Sequence, residues 1–154
     1  MPSHARVWIY KCGRDLGQAE QKLILEKGAA FTADWSAHGD ALDACVDVLL
    51  GRFVVIALDE VQAAASGCSI DKSVGFIKDL EHDLNIMLTD RMLVIYEVEG
   101  QVSCCRLQEL PSLLAEGMIG LGTPVYDDLL TTVGEMNERF KVPLGESWVK
   151  RFIQ

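Results

Sequence analysis

Residues 42–58 constrain the fold more than any other part of the chain. Apolar and polar side chains alternate over residues 42–50, which predicts a strand with one buried face. Gly51-Arg52 is short enough for a hairpin turn, and the apolar run at residues 53–58 predicts a central strand buried on both faces. The chain is therefore expected to build an antiparallel sheet around this hairpin.

The remaining elements follow from local patterns. The clearest are a strand at residues 6–10, helices at 18–35 and 70–85, and strands at 92–98 and 101–107. The last third predicts short helices at residues 111–115, 126–136 and 146–152.

The order strand, helix, strand, strand, helix, strand matches the split βαβ pattern of ferredoxin-like folds. We therefore expect an α+β fold with a ferredoxin-like βαββαβ core, an extra hairpin strand at residues 101–107 and C-terminal helices. The alternative is a mixed α/β sheet covered on both faces by the C-terminal helices. A length of 154 residues suits one domain spanning 1–154.

The charge balance narrows the classes of partner. Lys and Arg number 14 against 23 Asp and Glu, so the net charge is −9. This argues against nucleic-acid and anionic-membrane partners, since both favour clustered Lys and Arg. The N-terminus lacks the apolar segment of a signal peptide, and the longest aliphatic or aromatic run is too short to span a bilayer, so we expect a cytoplasmic protein.

The cysteines and histidines indicate neither a disulfide framework nor a metal site. Five cysteines are an odd number and form no Cys-x-x-Cys pair, which favours reduced thiols. His4, His38 and His82 are scattered without metal-ligand spacing. Asp59 and Glu60 are adjacent, so on a strand their side chains point to opposite faces and cannot easily share one ion. We predict no metal and no cofactor.

Four stretches of sequence carry a family resemblance. They are residues 5–10 (ARVWIY), Trp35 with His38-Gly39, Asp59-Glu60 leading to residues 65–71 (ASGCSID), and residues 146–149 (ESWV). The chain resembles a family of small bacterial proteins, some of which carry the name ABC transporter ATPase. The resemblance covers nearly the whole chain and implies no established activity. ATP hydrolysis by a phosphate-binding loop needs Gly-x-x-x-x-Gly-Lys-Ser/Thr, which does not occur in this sequence.

Cys68 is the candidate nucleophile. It follows Ser66-Gly67 where a loop enters the second predicted helix, and the positive end of a helix dipole stabilises a thiolate. His38 is the candidate base, with Ser66 or Ser69 as hydrogen-bond donors to an anion. The alternative is a buried structural cysteine, with the two serines serving only to cap the helix.

The same loop also predicts anion binding without covalent chemistry. Free amides at a helix start bind anions. The candidate ligand-binding residues are Ser66, Gly67, Ser69, Asp71, Arg6 and Arg91, while Arg14 and Lys72 are further candidates for the cationic part.

Three functions remain open from the sequence. The favoured one is a protein that binds a small anionic ligand or a protein partner at residues 66–71. The second is an enzyme that uses Cys68 as nucleophile. The third is a structural or regulatory interaction protein without a small-molecule site, and assembly as a homodimer is left open.

Overall fold

The fold is seen in a computed structural model that describes residues 1–153. Within these residues the strands are β1 (Arg6–Lys11), β2 (Ser36–Ala37), β3 (Asp40–Ala41), β4 (Asp43–Leu49), β5 (Phe53–Asp59), β6 (Leu93–Val98), β7 (Gln101–Arg106), β8 (Pro124–Tyr126) and β9 (Lys141–Pro143). The helices are α1 (Gln18–Asp34), α2 (Gly67–Leu84), α3 (Leu110–Ala115) and α4 (Val133–Arg139), with 3-10 turns at Leu107–Glu109, Leu144–Glu146 and Trp148–Phe152. The protein is mixed α/β with several antiparallel sheets. Among the described residues, none of the helices has the length and apolar character needed to cross a membrane.

β4 and β5 form the predicted hairpin. They pair antiparallel up to Leu49 opposite Phe53. The turn residues Leu50 and Gly51 both have positive φ, 57° and 64°. This is the backbone of a type I′ turn, whose twist matches that of antiparallel strands. Residues 53–58 are all buried, which confirms the central strand.

The first sheet has three strands, one fewer than the expected ferredoxin-like core. β1 pairs antiparallel with the other side of β5, which gives the order β1-β5-β4. The next strand, β6, does not continue this sheet beside β1. It pairs instead with β7 and β8 in a separate sheet of order β7-β6-β8-β9. The full ferredoxin-like topology is therefore not confirmed.

The outer edge of β1 pairs with a short C-terminal segment, residues 131–133, and not with a further strand. The Val7 amide donates to the Thr131 carbonyl at 2.9 Å, and the Val133 amide donates to the Ala5 carbonyl at 2.9 Å. These two bonds form an isolated antiparallel bridge between Arg6 and Thr132. A fourth strand would lie at this edge of β1. Beside the first residues of β1, that place is taken by the segment that leads into α4.

Helices α1 and α2 cover one face of the first sheet. Their apolar side chains pack with alternate residues of β5, such as Ile56. Gly28 lets α1 approach β4 closely, because a Cβ at this position would lie 2.5 Å from Val46 Cβ. Phe31 of α1 stacks on Phe76 of α2 with ring centroids 4.6 Å apart, which joins the two helices.

The other face of the first sheet packs on the second sheet. Phe53 of β5 contacts the rings of Tyr126 and Phe140 at centroid distances of 5.6 and 4.9 Å. The far side of the second sheet is covered by α3 and the C-terminal 3-10 turns, where Leu110 and Leu144 are fully buried. The elements thus stack in four layers, with helices outside and the two sheets between them.

Three sequence-based boundaries were wrong. α2 begins at Gly67 rather than residue 70, because Ser66 acts as the N-cap. The helix predicted at residues 126–136 is instead β8, a loop and then α4, because Tyr126 is paired in the second sheet and Thr132 caps the helix. The C-terminal helix predicted at residues 146–152 consists of two 3-10 turns.

Candidate functional site

Two serines form a capping box at the start of α2. The Ser69 amide donates to Ser66 Oγ at 3.1 Å, and the Ser66 amide donates to Ser69 Oγ at 2.7 Å. Trp35 Nε1 donates to the Ser69 carbonyl at 2.8 Å, and Ser69 is buried. A Cβ added at Gly67 would meet no atom within 4 Å, so the loop does not need glycine for close approach. Both predicted serine donors are therefore used by the helix itself.

Cys68 and His38 are both exposed, on neighbouring elements. Cys68 is in the first turn of α2, and His38 is at the turn between β2 and β3 with a φ of 52°. Within residues 1–153 no hydrogen bond joins the Cys68 thiol to the His38 ring. Nucleophilic catalysis by this pair stays a prediction.

The predicted basic residues separate into two groups. Arg6 and Arg91 line the same cleft, described below, which does not include residues 66–71. Arg14 binds Glu20 with two hydrogen bonds of 2.8 Å at the start of α1. Lys72 is exposed on α2. The structure therefore brings two of the predicted cations together, at a place other than the predicted loop.

The carboxylates after β5 hold the following loop in place. Asp59 accepts hydrogen bonds from the Val61 amide and from the His4 ring, and these lower the pKa of its carboxyl group. Glu60 accepts the Ala65 amide at 2.9 Å. Among residues 1–153, no group of three or more His, Cys, Asp or Glu side chains could hold a metal ion.

A cleft of about 730 Å³ runs along β1, and we call it the β1 cleft. Its lining residues are Arg6–Lys11 of β1, Val74, residues 88–92, Leu107, residues 128–131, Trp148, Arg151 and Phe152. The loop after α2 and the loop before α4 thus meet the C-terminal 3-10 turn around one strand. The volume falls within the range of about 300–1,000 Å³ typical of ligand sites.

The charge of the β1 cleft is opposite to that of the whole chain. Its lining contains four cationic side chains, which are Arg6, Lys11, Arg91 and Arg151, and two acidic ones, Asp90 and Asp128. Over the whole chain the ratio is 14 to 23. An acidic protein thus carries a local site with an excess of positive charge, which attracts anions.

Lys11 and Asp128 form a buried ion pair in this cleft. Lys11 Nζ lies 3.0 Å from Asp128 Oδ2, and the two side chains are 5 % and 14 % exposed. The ammonium also lies 5.3 Å from the centre of the Trp148 ring, within the range of a cation–π contact. Asp128 Oδ1 and Trp148 Nε1 are buried without a hydrogen-bond partner among the described residues. Lys11 is therefore held in place by residues far away in the sequence.

Asp90 is a further polar group of the cleft that is already engaged. The Met92 amide and the Arg106 guanidinium donate to the Asp90 carboxylate at 2.9 and 2.6 Å, and these bonds lower the pKa of that group. Burial and the negative charge of Glu81 raise the pKa of Tyr10. Asp90 is thus neutralised by an arginine outside the lining, which leaves the cleft cationic.

Lys11, Asp128 and Trp148 were not among the predicted binding residues. One signal was available for Lys11, because alternation puts it on the same face of β1 as Val7 and Ile9. A lysine in line with two apolar residues indicates a buried, paired cation. Asp128 had no such signal, since its position depends on how the C-terminal third folds back.

Comparison of the chain with family models, with curated proteins and with solved structures found no match. The family resemblance therefore stays a prediction, and the functional conclusion depends on the geometry of the site.

Proposed function

We propose that this chain is a cytosolic, single-domain binding protein whose β1 cleft takes up a small ligand with an apolar body and an acidic group. The observation that carries the proposal is the excess of cationic side chains in a cleft of ligand size, on a protein with a net charge of −9. The sequence predicted a small anionic ligand or a protein partner at residues 66–71. The proposal keeps the small anionic ligand, adds an apolar body and moves the location to the cleft.

Arg91 and Arg151 are the best candidates to contact the acidic group. Both are exposed, and neither forms an ion pair with another described residue. The Arg151 guanidinium lies 5.1 Å from the centre of the Phe152 ring, so Arg91 is the less engaged of the two. Arg6 lies 3.9 Å from Glu60 and stacks over the Trp8 ring, so it is partly engaged. A guanidinium presents paired N–H donors to a carboxylate or phosphate, which suits recognition of either group.

The apolar body of the ligand has matching walls. Leu88 and Leu107 are buried beside the cleft, whereas Leu129 and Phe152 are exposed at 57 % and 45 %. Large apolar side chains that remain this exposed beside a concave site favour a ligand that covers them.

The test uses a panel of phenylalkanoic acids of increasing chain length together with their neutral amides. Affinities measured by titration calorimetry should show at least one acid binding more tightly than its amide. Arg91→Gln should weaken that acid by about tenfold, because one charge-assisted hydrogen-bond pair is lost.

Arg139→Gln is the matched control, since Arg139 is an exposed arginine on α4 outside the cleft lining. It should leave the affinity unchanged. The proposal is overturned if no acid binds better than its amide, or if the two arginine variants behave alike.

A further inference from the structure

The outer edge of β1 is paired at only one end. The Val7 amide points away from β5 and donates to the Thr131 carbonyl. The Cys12 amide points to the opposite side and donates to the carbonyl of Arg52, the residue before β5. Because successive residues of a strand direct their backbone groups to opposite sides, Ile9 and Lys11 face away from β5, as Val7 does. Beyond Val7, no strand within residues 1–153 pairs with this side of β1.

This unpaired edge lies inside the β1 cleft. All six residues of β1 line the cleft, together with side chains on either side of the strand such as Val74 and Phe152. Unpaired N–H and C=O groups on an edge strand are a template for another extended chain. A ligand in this cleft therefore meets backbone donors and acceptors as well as cationic side chains.

We propose that the natural ligand is an extended peptide with acidic side chains, which adds to the edge of β1 at Ile9. This inference rests on the proposed function, since it names the class of ligand that the β1 cleft takes. The peptide would continue the antiparallel pairing that Thr131 and Val133 begin at Val7 and Ala5. Its acidic side chains would meet Arg91 and Arg151.

A peptide fits this edge better than a second copy of the chain. A second folded copy would bring a whole sheet and its covering layers to the edge. The loops at residues 88–92 and 128–131, together with the Trp148–Phe152 turn, line the approach to β1. A single extended segment needs only the width of one strand, about 5 Å.

The experiment uses a pooled library of acetylated hexapeptides with Glu at alternate positions and the other positions varied. Amide hydrogen exchange of the protein is followed by NMR with and without the library. Binding members should slow exchange at Ile9 by about tenfold or more, because its amide becomes hydrogen-bonded. Amides of β7, an edge strand of the second sheet, serve as the control and should not change.

N-methylation of the best peptide then separates pairing from charge attraction. Only every second amide of an added strand faces β1, so methylation at one set of alternate positions should abolish binding while methylation at the other set should not. Ile9→Pro should also weaken the peptide, because it removes a donor that β5 does not use.

The outcomes distinguish the two proposals. If phenylalkanoic acids bind with the expected dependence on Arg91 but no peptide slows exchange at Ile9, the cleft function stands and the peptide inference is wrong. Equal binding by both N-methylated forms also overturns the inference alone. If neither acids nor peptides bind, both proposals fail.

Discussion

Asp128→Ala should destabilise the protein far more than substitution of a loop carboxylate normally does. Asp128 is the ion-pair partner of Lys11, whose side chain is only 5 % exposed. The substitution leaves the ammonium buried beside Trp148, and the ring supplies only part of the lost interaction. Removing one partner of a buried pair typically costs about 3–5 kcal/mol, because the other charge stays unpaired.

The structure places this pair at the lower end of that range. Asp128 is 14 % exposed, so water can reach part of the gap, and we expect a loss of about 3 kcal/mol. With a urea dependence of about 2 kcal/mol per molar, the unfolding midpoint should fall by about 1.5 M. The double variant Lys11→Met/Asp128→Leu removes both charges and should lie within about 1 kcal/mol of the wild type.

Urea titrations of Lys11→Met, Asp128→Leu and the double variant give the coupling energy of the pair. The control is the same cycle at Lys22 and Glu26, an exposed pair on α1 with side chains 80 % and 61 % exposed. That pair should couple by no more than about 0.5 kcal/mol. Equal coupling energies in the two cycles would show that Lys11 is solvated and that the reasoning is wrong.

Three further predictions concern other parts of the chain. Gly28→Ala should lower the free energy of unfolding by about 1 kcal/mol in urea titrations, because the alanine Cβ would overlap Val46. This loss is expected although alanine has a better helix propensity than glycine. A stabilised variant would contradict the contact. Hydrogen bonds lower the pKa of Glu20 to about 2. Glu20→Gln should therefore be less stable than the wild type by its full amount above about pH 5, and the difference should vanish as the pH falls toward 2. Thermal melts that show a difference independent of pH would refute this. A thiol reagent at neutral pH should modify Cys68 faster than Cys45, the other exposed cysteine, because partial desolvation and the carboxylates of Asp47 and Asp43 raise the pKa of the Cys45 thiol. Faster modification of Cys45, read by mass spectrometry, would contradict this.

The parts of the fold that the sequence predicts are those fixed by neighbouring residues. The alternation at residues 42–50 and the apolar run after it predict β4 and β5, and the stripe over residues 70–85 predicts most of α2. β8 and β9 have three residues each, too few for a periodic signal, and Pro124 and Pro143 pair with each other in them. The pairing of these strands depends on the rest of the second sheet and not on a local pattern.

The candidate site depends on contacts that no local pattern contains. Arg6 and Arg91 were identified as cations, but nothing near either residue shows that both line one cleft. The serine and glycine loop before α2 had the composition of an anion site, yet Ser66 and Ser69 satisfy each other. The short-range polar motif therefore indicated the helix cap that the structure contains, whereas the predicted binding residues stay a prediction.

The position of β1 also affects how long the folded state persists. β1 meets β5 and the segment at residues 131–133 only across long stretches of chain, and closing such loops costs entropy before any contact forms. We therefore expect the edge of β1 to be completed after the β4–β5 hairpin, late in folding. A molecule bound there contacts groups that the folding transition state lacks, so it should slow unfolding and leave the refolding rate unchanged. A ligand in the cleft would then lengthen the lifetime of the folded protein.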